Sequence, residues 1–292
     1  MNQNIAVLFL RNKLNIAKKI ITLLYVLNSL MNRERMLTTA IEAAREAGKL
    51  LRDGVGKIKN IERKKGDATN LVTEFDKLAE ALIIKKIHER FPSHDILAEE
   101  SGSHAIVSDY RWVIDPLDGT TNYAHGLPLF SVSIAVEHKG EIVAGVVYDP
   151  SADELFSAEK GKGAFCNGTQ LRVSSADSLI NSLLVTGFPY AYRDNPGRII
   201  DHFENFLMES QGIRRLGSAA IDLAYIAAGR LDGYWELTLY PWDKAAGVLL
   251  VKEAGGIVTD ILGNPDSIYT PSTLASNGII HPAMLEVLRK SL

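Results

Sequence analysis

Residues 115 to 122 read Asp115-Pro116-Leu117-Asp118-Gly119-Thr120-Thr121-Asn122, directly after the apolar run Trp112-Val113-Ile114. This spacing sets two carboxylates beside a Gly-Thr turn whose free backbone N–H groups suit an anion. Carboxylates cannot hold an anion themselves. Divalent cations between Asp115 and Asp118 on one side and a phosphate on the other are the simplest reconciliation, and they imply metal-assisted phosphoryl chemistry. Asp115 terminates an apolar strand, where an unpaired carboxylate would be costly.

Three further acidic segments stand out. Asp76 falls near the start of a predicted helix, Glu99-Glu100-Ser101 follows the strand Ile96-Leu97-Ala98, and Trp242-Asp243 follows Pro241 at a helix start. Singly, Asp76 and Asp243 read as helix-start acids and Glu99-Glu100 as a solvated turn. A covalent nucleophile has no obvious candidate. The acids are spaced D-P-L-D rather than the D-x-D of haloacid-dehalogenase-type enzymes, no G-x-S-x-G elbow occurs, and no cysteine-phosphatase loop is expected.

The elements that must position these residues follow from periodicity. Apolar residues from Leu37 to Leu51 recur at helical spacing and stop at Asp53-Gly54; a second helix is predicted from about Thr73 to Arg90, ended by Phe91-Pro92. Between them Lys57 to Asn70 reads as a charged loop or hairpin. Strands are predicted over 95–98, 110–114, 131–137, 141–148 and 155–158, in an order that favours an antiparallel sheet. The stretch Gly161 to Gly168 is expected to be a structural turn rather than a phosphate loop, since it lacks the G-K-[ST] ending. Beyond Ser174-Ser175, strands (182–186, 212–216, 233–237, 256–260) alternate with helices (199–210, 218–229, 242–253), as in a layered α/β half. We therefore expect sub-domains over 31–175 and 176–292 with the site in the cleft between them.

The 292 residues carry a formal net charge of -3, which gives no footprint of a nucleic-acid binder. The single cysteine, Cys166, excludes an intramolecular disulfide and fits a reducing compartment; the seven histidines contain no H-x-x-x-H pair. Residues 1–30 hold Arg11, Lys13, Lys18, Lys19 and no acid, with an apolar run at 20–27 well short of the roughly 20 residues of a membrane span. We expect an extension outside the fold, upstream of a start at Met31 or Met36; a basic surface anchor or targeting segment is the alternative.

Together, Glu99-Glu100-Ser101, the octapeptide at 115–122, and Trp242-Asp243 with Ala245-Ala246-Gly247 and Glu253-Ala254-Gly255-Gly256 resemble the inositol monophosphatase family from about Met36 onward. The resemblance implies an αβαβα sandwich in the α/β class. It also implies a cytoplasmic homodimer that hydrolyses small phosphorylated polyols such as inositol 1-phosphate, with two to three Mg2+ ions and sensitivity to Li+. Glu99, Asp115 and the Leu117 carbonyl would hold one ion, Asp115, Asp118 and Asp243 a second, and Glu99 with water a third. The Gly119 and Thr120 amides would receive the phosphate, while Asp118, Gly217, Ser218, Ala219, Glu236 and Asp243 face the alcohol. Glu99, Thr120 and Asp76 would orient the attacking water, with Lys65 on a loop that approaches the site. Without metal, such packed carboxylates should leave the site weakly formed.

Relatives acting on fructose 1,6-bisphosphate, histidinol phosphate or a 3'-phosphoadenosine nucleotide are an alternative; a carboxylate at Glu236 disfavours a second phosphate. A transcription antitermination partner is another, with Arg214-Arg215 as a protein-binding patch or, more plainly, as solvated residues near the site.

Overall fold

The computed structural model describes residues 31–64, 69–104, 106–189 and 196–291. Lys65 and residues 1–30 lie outside these. The chain divides into two compact units, Met1–Met36 and Leu37–Leu292, and apart from the start of the first helix all that follows concerns the second.

Helix α1 (31–54) and α2 (Glu74–Arg90) are joined by Arg90 to Thr39 and Glu42 and by Lys86 to Glu42 and Glu46. Between them a hairpin pairs β1 (Ile61–Arg63) with β2 (Leu71–Thr73), Ile61 opposite Thr73. Then come β3 (Asp95–Ala98), β4 (Gly102–Ser103), β5 (Tyr110–Asp118), the short helix α3 (Thr120–Ala124), β6 (Ser131–His138), β7 (Glu141–Asp149), β8 (Glu154–Glu159), β9 (Gly163–Cys166) and β10 (Thr169–Gln170). These strands form an eight-stranded sheet in the order β10-β9-β8-β7-β6-β5-β3-β4. The expected antiparallel pairing holds from β5 to β8 and continues into β9 and β10, which the sequence reading did not expect, but β3 runs parallel to β5.

The rest of the chain supplies β11 (Leu183–Thr186), α4 (Pro196–Glu209), β12 (Gly212–Arg214), α5 (Ala219–Ala227), β13 (Gly233–Glu236), α6 (Pro241–Glu253), β14 (Ile257–Thr259), β15 (Thr273–Ser276) and α7 (His281–Arg289). Its five-stranded sheet, β12-β11-β13-β15-β14, is parallel around β11 and antiparallel around β15. Helices α5 and α6 lie between the sheets. One buried cluster joins Val113, Ala135 and Val147 of the first sheet to Leu223, Ala246 and Leu250 of the helices and to Val185, Tyr234 and Ala275 of the second. A separate cluster packs Phe206 of α4 and Met284 of α7 on the far side of the second sheet, against Trp235. Together with α2 against β5, these layers run α, β, α, β, α. No helix among the described residues is long and apolar enough to cross a membrane.

One sequence expectation is corrected here. The strand predicted to stop at Ile114 runs on to Asp118, with a register shift between Asp115 and Asp118 opposite β6. Pro116 has no N–H for a ladder bond, so the strand tolerates it only at such an irregularity. Asp115 therefore sits within the strand rather than at its end.

Candidate active site

Strand register creates the first carboxylate pair. Because β3 and β5 run parallel with Ala98 beside Ile114, Glu99 and Asp115 emerge side by side at the same edge. Asp115 accepts a hydrogen bond from the Leu117 N–H at 3.0 Å. Gly119 then turns the chain with a φ of +94°, a left-handed conformation open to glycine, and starts α3.

Thr120 Oγ1 lies 2.9 Å from Asp76 Oδ1 and 3.0 Å from the Leu117 carbonyl. Asp76 is itself fixed as the third residue of α2, where its other oxygen accepts from the Thr73 N–H and hydroxyl at 2.8 and 2.6 Å. Burial pushes Asp76 up to about 6, against these stabilising hydrogen bonds.

The second half of the chain is tied on by short polar contacts. Ser218, the cap of α5, donates to Asp118 Oδ2 at 2.6 Å, and the Ala220 N–H adds a bond at 2.8 Å. Asn122, last of the octapeptide, donates to the Leu129 and Leu216 carbonyls at 2.7 Å each. Asp243 faces the same pocket from the first turn of α6, where it accepts from the Tyr240 N–H at 2.7 Å. Parallel pairing of Thr186 with Trp235 sets Gly187 next to Glu236; a Cβ at 187 would fall 2.0 Å from the Glu236 carboxylate. Tyr234 donates to Glu236 Oε2 at 2.6 Å.

Glu99, Asp115, Asp118, Thr120, Ser218, Glu236 and Asp243 line a pocket of about 380 Å³. Burial raises Asp115 and Asp243 well above the usual carboxylate range, and repulsion from Glu99 and Asp118 adds to it. Burial likewise pushes Asp118 up to about 6, a rise that Ser218 and Ala220 limit, and Glu236 up to about 7. Lys64 Nζ lies 2.6 Å from Glu99 and 3.0 Å from Glu100. Burial alone would lower this ammonium, yet the two glutamates hold it well above the ordinary lysine value. No three ligand-capable side chains among the described residues converge as they stand. The donor set nonetheless fits a hard divalent cation: buried, mutually repelling oxygen ligands face a shared cavity.

The structure thus brings Asp76, Glu99, Asp115, Leu117, Asp118, Gly119, Thr120, Gly217, Ser218, Ala219, Glu236 and Asp243 to one region, all but Asp76 lining the pocket itself. Sequence reading missed Lys64, one residue before Lys65. It also missed Glu80, which accepts from the Glu100 and Ser101 N–H groups at 2.9 Å each and sits one turn beyond Asp76. Asp222 was missed too, although it is the lone charge in the apolar helix α5. Arg214 and Arg215 are both exposed, and Arg215 also lines the pocket.

Two loops resolve against catalytic readings. Glu253 binds the Gly161 and Gly163 N–H groups at 2.8 Å each, so the segment is structural, but Gly163–Cys166 of the expected turn is strand β9, paired with β8. Cys166 and Arg172 do have the Cys-x5-Arg spacing of thiol phosphatases, which the sequence reading overlooked. They flank a hairpin pairing Cys166 with Thr169, and burial raises the thiol, the reverse of an activated nucleophile.

Five alternating layers with a carboxylate-lined pocket make this a layered α/β protein with a site suited to divalent cations. The model of the inositol monophosphatase family matches residues 32–292. The inositol-1-monophosphatase of Mesorhizobium japonicum is 43% identical over 263 residues, covering 90% of this chain and 99% of that protein. The Nus factor SuhB of Escherichia coli is 46% identical over 258 residues, covering 88% and 97%. The structure of inositol monophosphatase from Anabaena (Nostoc) superposes with a TM-score of 0.81 at 43% identity, covering 89% of this chain and 98% of its own. The chain belongs to the inositol monophosphatase family.

Proposed function

We propose that this chain is a Mg2+-dependent hydrolase of small polyol phosphate monoesters, with inositol 1-phosphate as leading substrate. The observation that supports it most directly is the meeting of Glu99, Asp115, Asp118 and Asp243 in one buried pocket beside the Thr120–Asp76 pair. Glu99, Asp115, the Leu117 carbonyl, Asp118 and Asp243 would hold two to three Mg2+ ions. When bound, such ions supply charge compensation and an acidified water at neutral pH.

The chain's own groups do the rest. Thr120 donates its hydroxyl hydrogen bond to Asp76 and keeps lone pairs that accept from a water, turning that water's oxygen toward the phosphorus. Glu99, once parted from Lys64, accepts the water's other proton as the new P–O bond forms and the P–O bond to the alcohol breaks, and that proton passes on to the leaving oxygen to give the free alcohol and inorganic phosphate. Gly119 and Thr120 receive the phosphate, and Gly217, Ser218, Ala219, Glu236, Asp118 and Asp243 surround the alcohol. The reading carries a cytoplasmic homodimer, whose assembly sedimentation would test.

The decisive experiment measures phosphate release from inositol 1-phosphate, fructose 1,6-bisphosphate, histidinol phosphate and a 3'-phosphoadenosine nucleotide, with and without Mg2+ and with Li+. Mg2+-dependent release led by inositol 1-phosphate, lost in a folded Asp115→Asn variant, supports the reading. Release from none of the esters sinks it. The similarity to Nus factor SuhB favours a second role in transcription antitermination. Pull-down of transcription components from lysate would test that role.

A further inference from the structure

We propose that Asp222 is a specificity-determining residue whose buried carboxyl takes a hydroxyl of the substrate's alcohol portion, beside Glu236; this rests on the phosphatase reading above. Asp222 lies on α5, is 1% exposed, and lines the pocket. Its Oδ1 has no hydrogen-bond partner among the described residues. A buried carboxyl oxygen left unpaired is costly, so a site of this kind is built for a donor that arrives with the ligand.

The surroundings indicate which donor. Glu236 neighbours Asp222 electrostatically, with Tyr234 holding one of its oxygens and Gly187 leaving room in front of it. Arg215 makes no ion pair with Asp222; it lies exposed, its guanidinium 5.9 Å from the Phe188 ring centre. Two neighbouring carboxyl groups lining one pocket offer oxygens to the hydroxyls of a neutral polyol. An alcohol lacking hydroxyls would leave Asp222 Oδ1 unpaired, which is how a polar pocket rejects an apolar analogue.

The test compares kcat/KM for inositol 1-phosphate with that for phenyl phosphate, which presents no hydroxyl. In Asp222→Ala the ratio of the two should fall by about tenfold. Asp222→Asn, which keeps shape and a hydrogen-bonding oxygen, should recover most of it. Asp222→Ser serves the same comparison if the alanine variant does not fold. An unchanged ratio in a folded alanine or serine variant overturns the proposal. If wild-type protein releases phosphate from neither ester, the phosphatase reading fails by itself, and NMR titration with free myo-inositol decides the role of Asp222. Binding at least about fivefold weaker in the variant upholds it; equal affinities, or no binding by wild type, overturn it.

Discussion

Thr120 Oγ1 lies 2.9 Å from Asp76 Oδ1, a contact between residues 44 positions apart that is buried at both ends. One hydroxyl carries one proton, and with Asp76 ionised that proton goes to the carboxylate rather than to the Leu117 carbonyl, because charge-assisted bonds are the stronger. The Thr120 lone pairs are left facing the pocket. Thr120→Val should therefore lower kcat by about 100-fold with KM changed by only a few-fold. Its melting temperature should fall by a few degrees, because Asp76 Oδ1 is left without its buried donor. Asp76→Asn should match the kcat loss and in addition destabilise by about 1 kcal/mol, because it weakens the α2 capping box. Steady-state kinetics beside calorimetry check both variants; a Thr120→Val enzyme with full kcat would remove the hydroxyl from the mechanism.

The pocket acids make stability depend on pH in a definite direction. Burial holds Asp76 at about 6 and Glu236 at about 7, above their ordinary 3.8 and 4.5. Between those values the folded state keeps protons that the unfolded chain releases. Their contribution is then full below about pH 4 and lost as pH rises through 6 to 7, at up to about 1.4 kcal/mol per pH unit for each proton. The metal-free protein should melt at lower temperature at pH 8 than at pH 5. Added Mg2+ should raise the melting temperature more at pH 8, where the carboxylates are ionised and need compensation. Scanning calorimetry at the two pH values checks this, and a metal-free protein more stable at pH 8 would contradict it.

The octapeptide and its acids were legible because metal-assisted phosphate chemistry needs particular residue types at particular spacings. The meander from β5 to β8 was legible from alternating apolar runs. Strand β15 and helix α7 were not: Thr273–Ser276 is a short segment completed by β13 and β14 on either side, so its stability is non-local. Lys64 and Glu80 were invisible for a related reason. A lysine in a charged loop and a glutamate in a helix have ordinary explanations until the fold sets them beside Glu99 and Glu100. The spacing of Glu80 from Asp76, one helical turn, was the signal available. Glu236 was legible only through family resemblance, since nothing in Tyr234-Trp235-Glu236 shows that Gly187 will leave space before it.

Lys64 serves as the internal counter-ion of Glu99 and Glu100, at 2.6 and 3.0 Å. A divalent cation would have to take over that charge. Lys64→Met should accordingly lower the melting temperature of the metal-free protein by a few degrees and raise its Mg2+ affinity by roughly fivefold, since no ammonium competes for the ligands. Titration calorimetry reads the affinity directly. Weaker Mg2+ binding in the variant would show that Lys64 assists the ion instead of standing in for it.

Glu80 acts at one remove from Glu99. Its two carboxylate oxygens accept the Ser101 and Glu100 N–H groups at 2.9 Å each, and so clamp the turn that carries Glu99 onto α2. Both bonds require acceptors. Glutamine, though close in shape, would set an NH2 group against a backbone N–H, so Glu80→Gln should be nearly as damaging as Glu80→Ala. We expect each to cost about 1 kcal/mol, the net worth of such bonds where the donors are only partly shielded from water. Loosening the turn should also weaken Mg2+ binding, because Glu99 would no longer be held beside Asp115. Denaturant unfolding and Mg2+ titration of both variants check the two effects together. A glutamine variant with wild-type stability and affinity would mean that the clamp does not depend on two acceptors and that β3 and β5 alone hold Glu99 in place.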